Sequence, residues 1–443
     1  MASPAFGALQ DAFSYENLLL AGTDEFKKLN SSYISSQEAD VTPAAIFLPR
    51  TTDDVSRFVT ILKPFALDGS APFAIRGAGQ QPLPGCANIQ DGITLDLRLL
   101  TGTVIKDGIV SIAAGERWGT VYEKLTDQGL GVTGSRSALG GIGGLALSGG
   151  LSFFSSREGF VCDNVINYEV VLASGRVVNA NANENPDLFP SQVEALMKEL
   201  KKPDASEETH LMVSIGYSAL YAGLGGTLCM NQLYHTGTTE ADPAELEPFA
   251  AVSPQIDQLK SLRVLTLKEA ASEQAQQGAD AIRCAYINTT VKADVPTLLA
   301  AVEAYTAALE PLKQCEGITC SLTLQAYPVS LLEKSASQGG NVLGLSPSDG
   351  PLVSVLALTW WKDRADDEKI TQTFKGVIDG IDRDAEFRGT AVPFKYLNYA
   401  WDFQDPIGSY GAENKHVLQE VSRKYDPEGL FQKGVPGGSK LFP

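Results

Sequence analysis

Two glycine-rich loops carry the residue types in this sequence that point most directly to chemistry. The shorter loop is Arg76-Gly77-Ala78-Gly79-Gln80-Gln81, and it follows a strand-like run. The longer loop begins at Gly131 and has further glycines at positions 134, 140, 141, 143, 144, 149 and 150. Glycine at this density packs no side chain, but it lets the main chain approach a ligand and direct its N–H groups at an anion. The two loops therefore predict a diphosphate held between them.

The glycines admit two other interpretations. A dinucleotide fingerprint can be written on Gly141-Ile142-Gly143-Gly144-Leu145-Ala146, but no clean strand precedes it and no βαβ unit surrounds it. The alternative without a ligand is a tightly packed turn region. The presence of two such loops favours the diphosphate.

Composition excludes several classes of partner. The chain has 443 residues, 44% of them hydrophobic, and 53 acidic against 35 basic residues give a net charge of −18. This charge argues against nucleic acid or an anionic membrane surface as partner. No apolar run reaches the roughly 20 residues of a membrane helix. Three histidines and six scattered cysteines show no metal-ligand spacing, so no metal site is predicted.

The N-terminal region and the cysteines bear on location. Residues 1–22 lack a basic start, and Asp11 and Glu16 interrupt their apolar residues, unlike a signal peptide. Isolated cysteines in partly apolar surroundings favour reduced thiols. The sequence therefore predicts a cytoplasmic protein, with a secreted form whose signal has been removed left open.

The predicted elements fall into two groups. Residues 44–50, 72–76, 92–97 and 108–115 are strand-like, helices are predicted from Thr51 and over 118–131, and residues 167–179 form a hairpin turning at Ser174-Gly175. Beyond about residue 209, long strand-like runs alternate with helices near 254–277, 294–313 and 365–381. A shorter helix is predicted from Ser191 to Lys201, residues 394–400 are predicted as a strand, and a last helix runs over 414–424. The fold class is α+β, with a second domain that is an antiparallel sheet covered by helices.

Three separated segments then resemble a known family. They begin at Arg76 (RGAGQQPLPGCANIQDGITLDL), at Gly140 (GGIGGLALSGGLSFFSSREGFVCDNVINYEVVLASGRVV) and at Lys395 (KYLNYAWDFQDPIGSYGAENKHVLQEVSRKYDPEGLFQK). Together they resemble fungal FAD-linked oxidoreductases of the berberine bridge enzyme-like branch of the vanillyl-alcohol oxidase superfamily. The resemblance implies a two-part FAD-binding domain in residues 1–189 and 394–443, with a substrate domain over 190–393 between them. It also implies oxidation of a small secondary metabolite by hydride transfer to flavin N5, with molecular oxygen or another acceptor reoxidising the flavin.

The resemblance also assigns roles to residues. Asn398 matches a position beside the isoalloxazine ring, and Tyr396, Tyr399 and Tyr327 are the candidate acid–base residues; Tyr286 is a weaker candidate for facing the substrate. The alternative for the tyrosines is ordinary packing in strands. The residues expected to bind the cofactor are Arg76, Gly77, Ala78, Gly79, Gln80, Gln81, Gly134, Ser135, Gly140, Gly141, Gly143, Gly144 and Asn398.

Two departures from the family pattern shape the functional expectation. Gln80 stands where family members carry the histidine that links covalently to flavin, and the Gly134–Ser137 region lacks the second linking residue, a cysteine. Any FAD is therefore expected to bind non-covalently. In addition, the family's tryptophan, glycine-rich turn and flavin-lining strand are missing between Phe189 and Pro190. This loss predicts weakened FAD binding and leaves two alternatives open: a redox-neutral isomerase or cyclase with flavin absent or only structural, and a non-enzymatic paralogue.

Overall fold

The computed structural model describes residues 4–180, 206–219, 227–237, 261–275, 283–337 and 340–442, with residues 243, 245, 246 and 256 between them. The helices are α1 (Pro4–Ala12), α2 (Asp24–Asn30), α3 (Ser36–Asp40), α4 (Thr52–Leu67), α5 (Trp118–Thr126), α6 (Ile142–Leu147), α7 (Ser155–Glu158), α8 (Leu267–Gln274), α9 (Val295–Leu309), α10 (Val329–Ser337), α11 (Asp367–Arg388), α12 (Pro406–Ser409) and α13 (Ala412–Tyr425). The strands are β1 (Leu18–Leu20), β2 (Ala45–Phe47), β3 (Phe73–Arg76), β4 (Ile93–Asp96), β5 (Thr103–Lys106), β6 (Ile109–Ile112), β7 (Tyr168–Val171), β8 (Val177–Ala180), β9 (Thr209–Ser218), β10 (Leu228–His235), β11 (Arg283–Lys292), β12 (Thr319–Tyr327), β13 (Leu352–Trp361) and β14 (Ala391–Val392).

The N-terminal sheet places the first glycine loop. Its strand order is β1-β2-β4-β3, with β1 antiparallel to β2 and the other pairs parallel. Helix α4 begins as predicted at Thr51, whose side chain and Asp54 form a capping box. Phe58 of α4 packs on Phe47 and Phe73 of the sheet in one buried core. Because β3 ends at Arg76, the shorter glycine loop starts at the carboxyl edge of this sheet.

The second sheet has six strands in the order β10-β9-β12-β13-β11-β14, and its pairs are antiparallel. Helices α9 and α11 cover one face, where Tyr305 stacks on Phe374 in a buried cluster that includes Trp361. The predicted antiparallel sheet covered by helices is confirmed. Since side chains alternate across a strand, His210, Gln325 and Tyr286 lie on the opposite face.

The C-terminal segment differs from its predicted strand. Residues 394–400 form no ladder; a single 3₁₀ turn spans Leu397–Tyr399. The main chain of Tyr396 instead bonds to the side chain of Asn288, which accepts from Tyr396 N at 2.8 Å and donates to Tyr396 O at 3.1 Å. A side-chain amide therefore satisfies the groups that a neighbouring strand would have paired. The prediction of a strand here was wrong.

The hairpin turn is one residue longer than predicted. Strands β7 and β8 pair up to Val171 and Val177, and Leu172 N donates to Arg176 O. Gly175 has φ +78°, so the loop is a turn closed by a left-handed glycine rather than a two-residue turn. The tail beyond α13 returns to the N-terminal sheet, where Leu430 is fully buried in the same core as Phe58.

Some predictions fall outside the described residues. These are the helix from Ser191 to Lys201 and the junction at Phe189–Pro190; of the helix predicted near 254–277, the structure describes α8. The three domain ranges stay predictions. In the described part of the chain, no helix is both long and apolar enough to cross a bilayer, and no group of metal-ligating side chains is found.

Candidate active site

The first glycine loop presents its main chain, because the guanidinium of Arg76 packs against Gly79 and bonds to main-chain oxygens outside the loop. The Arg76 guanidinium is buried, donates to Leu29 O at 2.9 Å and Ser32 O at 2.8 Å, and stacks over the ring of Tyr33. A Cβ at Gly79, which has φ +66°, would lie 2.9 Å from Arg76 Nε. Gly79 therefore serves the packing and conformation of the loop. A Cβ at Gly77 would meet no atom within 4 Å.

The glycines of the second loop also fall into two groups, those that permit close packing and those that face open space. Added Cβ atoms at Gly134, Gly140 and Gly141 would overlap Trp118, Ser135 and Ala78 respectively, so these glycines permit close packing. Gly143 and Gly144, in the first turn of α6, face open space. The first N–H groups of a helix have no partner within the helix and favour anions.

Arg117 holds the two loops together. Its guanidinium donates to Ala78 O in the first loop at 3.0 Å and to Leu139 O in the second at 2.5 Å. The contact of Gly141 with Ala78 closes the gap further. The open positions at Gly77, Gly143 and Gly144 therefore lie on two adjacent loops, and we refer to them together as the main-chain cradle. This cradle fits the diphosphate of FAD, because a side chain at these positions would occupy the space that the phosphates need.

An arginine at the centre of the cleft joins the second loop to the antiparallel sheet. Arg136 Nη1 lies 2.8 Å from Gln325 Oε1, 3.0 Å from His210 Nε2 and 2.7 Å from Met212 Sδ. Arg136 Nη2 lies 2.6 Å from Tyr399 Oη. One guanidinium therefore contacts β9, β12 and the C-terminal turn together.

His210 is held neutral in this contact. Burial, followed by the nearby charge of Arg136, lowers the pKa of His210 well below its ordinary value of 6.5. A neutral imidazole beside an obligate donor must present an unprotonated nitrogen. His210 Nε2 therefore accepts from Arg136 and its proton resides on Nδ1.

The predicted C-terminal residues lie close together but have different surroundings. Tyr399 is half-buried and its hydroxyl lies 3.4 Å from Gln325 Oε1. Tyr396 is buried beneath it, with the ring centroids 4.9 Å apart, and burial raises its pKa well above 10. Asn398 Nδ2 donates to Ser148 O at 2.9 Å, which fastens the turn to the residues that follow α6. Tyr399 is the hydroxyl that the cleft can use.

Tyr327 lies in the protein core. It is fully buried among aromatic rings, including Phe160 and Phe394, and burial raises its pKa above 10. Tyr327 is therefore a packing residue of the core and does not face the cleft. Gln80 and Gln81, the other polar residues predicted in the first loop, are half-buried.

The face of the sheet that meets the cleft is polar near β9 and apolar towards β11. Ser214 and Thr323 share a hydrogen bond of 2.9 Å, and Ser321 lies beside them. Tyr286 faces the same side, with its ring 5.9 Å from that of Tyr399. Across the sheet, Leu358 pairs with Tyr286 in the antiparallel register and is half-buried. The cleft thus has a polar end at Arg136 and an aromatic and aliphatic wall.

Sequence reasoning missed Arg136, His210 and Gln325. Arg136 lies within the Gly134–Ser137 region, where a cation flanked by small residues in a glycine loop is a usable signal. His210 and Gln325 occupy alternate positions of strand-like runs, and nothing local distinguishes them from ordinary strand residues. They are recognised by their contact with Arg136.

Comparison with known proteins assigns both glycine loops to an FAD-binding domain family. The family described as "FAD binding domain" matches residues 43–181, which include both glycine loops. The chain is 31% identical to FAD-dependent monooxygenase tpcD of Cochliobolus heterostrophus, covering 93% of this chain and 87% of that protein. It is 33% identical to FAD-dependent monooxygenase FUP4 of Fusarium proliferatum, with the same coverage. The tpcD alignment spans 469 positions against the 443 residues of this chain, so tpcD has residues inside the aligned region that this chain lacks.

The fold recurs in solved structures. Xylooligosaccharide oxidase from Myceliophthora thermophila superposes with a TM-score of 0.76, covering 99% of each chain at 18% identity. A variant of berberine bridge enzyme superposes with a TM-score of 0.72 at 15% identity, again over 99% of each chain. At such identities the likeness establishes the fold.

Proposed function

Because this chain belongs to the berberine bridge enzyme-like branch of the vanillyl-alcohol oxidase superfamily of FAD-linked oxidoreductases, we propose that it oxidises a small, largely apolar metabolite with non-covalently bound FAD. The observation that carries the proposal is the meeting of the main-chain cradle with the cleft at Arg136. The loop that supplies Gly143 and Gly144 also supplies Arg136, whose guanidinium touches the sheet and Tyr399. A cofactor held by this loop and a substrate held against the sheet would therefore be neighbours.

The cofactor and the chain have separable tasks. Bound FAD supplies a two-electron acceptor for a hydride taken from a substrate C–H bond. Main-chain N–H groups near Gly77 and Gly143 would hold its diphosphate. Non-covalent binding is supported by Gln80, whose amide can donate and accept hydrogen bonds but cannot form the family's histidyl link.

Acid–base work falls to Tyr399. Its hydroxyl lies in the cleft, within hydrogen-bond reach of Arg136 and Gln325. A guanidinium donor stabilises negative charge that develops on an oxygen during proton movement. Tyr396 and Asn398 act as positioning residues, since they fix the turn that carries Tyr399. The apolar wall around Tyr286 would exclude water from the substrate.

The direct test is the absorbance spectrum of the purified protein, with flavin counted against protein. The proposal expects the bands of oxidised flavin, and their bleaching when an oxidisable substrate is added without oxygen. A colourless protein that also fails to bind added FAD would refute it. That result would favour a redox-neutral isomerase or cyclase, in which Arg136 and Tyr399 polarise a carbonyl group.

The junction at Phe189–Pro190 bears on how tightly FAD binds. The extra positions in the tpcD alignment support the prediction that this chain lacks a family segment. Loss of several hydrogen bonds, at roughly 1 kcal/mol each, would weaken FAD binding by orders of magnitude. We therefore expect weak FAD occupancy, and tighter binding when a relative's segment is inserted between these two residues. Tight stoichiometric binding by the unaltered chain, measured by flavin fluorescence, would contradict this expectation and strengthen the oxidase assignment.

A further inference from the structure

We propose that the cleft takes an anionic substrate, an apolar molecule carrying a carboxylate, and that the guanidinium of Arg136 binds this carboxylate. The inference rests on the proposed function, because it takes the cleft as the substrate site. It concerns the class of substrate, which the family comparison leaves open.

Arg136 contacts neutral groups. Its partners within the described residues are an imidazole, a thioether, an amide oxygen and a phenol, and no described carboxylate lies within 4.0 Å of it. Two other arginines of this chain are paired with carboxylates: Arg283 bridges Asp367 and Asp40, and Arg157 bridges Glu208. Arg136 is half-buried, and partly removing a guanidinium from water without a counter-charge is costly. A ligand carboxylate would supply that charge.

The side chains around Arg136 do not neutralise its positive charge. Arginine stays protonated at any ordinary pH. His210 is neutral and accepts from Nη1, so it contributes no negative charge. Gln325 and Tyr399 orient the guanidinium through hydrogen bonds, again without compensating it.

Some N–H donors of the Arg136 guanidinium remain available to a ligand. The contacts of Arg136 occupy Nη1 and one hydrogen of Nη2. Nε–H has no partner among the described residues, and Nη2, which carries two hydrogens, has one partner there. Nε–H and an Nη2 hydrogen together form the edge of the planar group that can pair with both oxygens of a carboxylate.

The wall of the cleft near Arg136 is apolar and fits the apolar part of a substrate whose carboxylate binds Arg136. Tyr286 and Trp360 lie on the same face of the sheet, with ring centroids 6.5 Å apart, and Leu358 pairs with Tyr286 in the register. All three are half-buried.

Because the whole chain carries a charge of −18, its overall field repels anions. Preference for an anion must therefore come from the local cation.

The test uses benzoate and benzamide, which share an apolar ring and differ in charge. Binding of each to the purified full chain is measured by titration calorimetry at fixed ionic strength, with flavin content determined separately by absorbance. We expect the wild type to bind benzoate at least about tenfold more tightly than benzamide, the size of one charged hydrogen-bonded pair. R136Q should lose this preference while binding benzamide as before. R176Q removes the same charge from the exposed hairpin tip and should behave as the wild type.

The outcomes separate this inference from the proposed function. Equal binding of benzoate and benzamide by the wild type, or an undiminished preference in R136Q, overturns the inference. If R136Q does not fold, the wild-type preference still decides, and R136K, which keeps the charge but loses the planar fork, should retain only part of it. Protein that binds benzoate through Arg136 but takes up no flavin would refute the oxidase and leave this inference standing. Flavin-loaded protein that does not discriminate between benzoate and benzamide would overturn this inference and leave the oxidase proposal standing.

Discussion

Replacing Gly143 with valine should weaken FAD binding further while leaving the protein folded. A Cβ at Gly143 meets no atom within 4 Å, and this glycine does not have a positive φ. A valine therefore fits the chain itself and projects only into the cradle. Gly79 is a poorer choice for the same test, because a side chain there would overlap Arg76.

The expected magnitude follows from the bonds that valine would displace. An N–H bond to a charged oxygen contributes about 1.5–3 kcal/mol. Loss of two such bonds near the start of α6 would weaken binding by about 3–6 kcal/mol, or roughly 10²- to 10⁴-fold. Valine is slightly better than glycine in a helix, so the free energy of unfolding should change by less than about 0.5 kcal/mol.

The assay is a titration with FAD followed by flavin fluorescence, together with the thermal midpoint of unfolding. G376V is the matched control, since Gly376 is also a helical glycine facing open space but lies on the exposed side of α11. G376V should bind FAD as the wild type does. Wild-type affinity in G143V would refute the placement of the diphosphate. A large fall in the thermal midpoint of G143V alone would show that Gly143 has a structural role.

Three other changes should have measurable effects. Y399F should lower turnover by about 10²- to 10⁴-fold with FAD binding unchanged, whereas Y327F, which alters a core hydroxyl, should change little; equal losses would contradict the assignment. Because Gln80 cannot form the histidyl link, acid precipitation should release the flavin, and a yellow washed pellet would disprove non-covalent binding. Burial raises the pKa of Glu38 from 4.5 to about 7 against the lowering effect of the N–H groups of Ala87 and Gly85, so the folded state favours the neutral carboxyl. The stability that this contributes is present below pH 4.5 and lost as the pH rises through about 7. In urea unfolding, the free energy of unfolding of E38Q should therefore fall less than that of the wild type between pH 5 and pH 8. Identical pH dependence of the two proteins would contradict the raised pKa of Glu38.

The sequence by itself determined the elements whose signals are local. A threonine followed three residues later by an acid marks the start of α4 because the two groups satisfy each other's main-chain N–H. Long runs of alternating and β-branched residues predicted the strands of the six-stranded sheet, and glycine density located both loops of the cradle. These features depend on neighbours within a few residues, so a linear pattern contains them.

Tertiary structure decided which residues meet in the cleft. Arg136 contacts His210, Gln325 and Tyr399, which are 74, 189 and 263 residues away along the chain. The segment around Tyr396 has the composition of a strand, yet Asn288, 108 residues distant, takes its main-chain hydrogen bonds. Hydrogen bonds and burial depend on distance in space, and periodicity in a sequence carries no information about partners brought together by folding. The glycines could therefore be predicted as a ligand cradle, while the partners of the cation beside them became visible only in the tertiary structure.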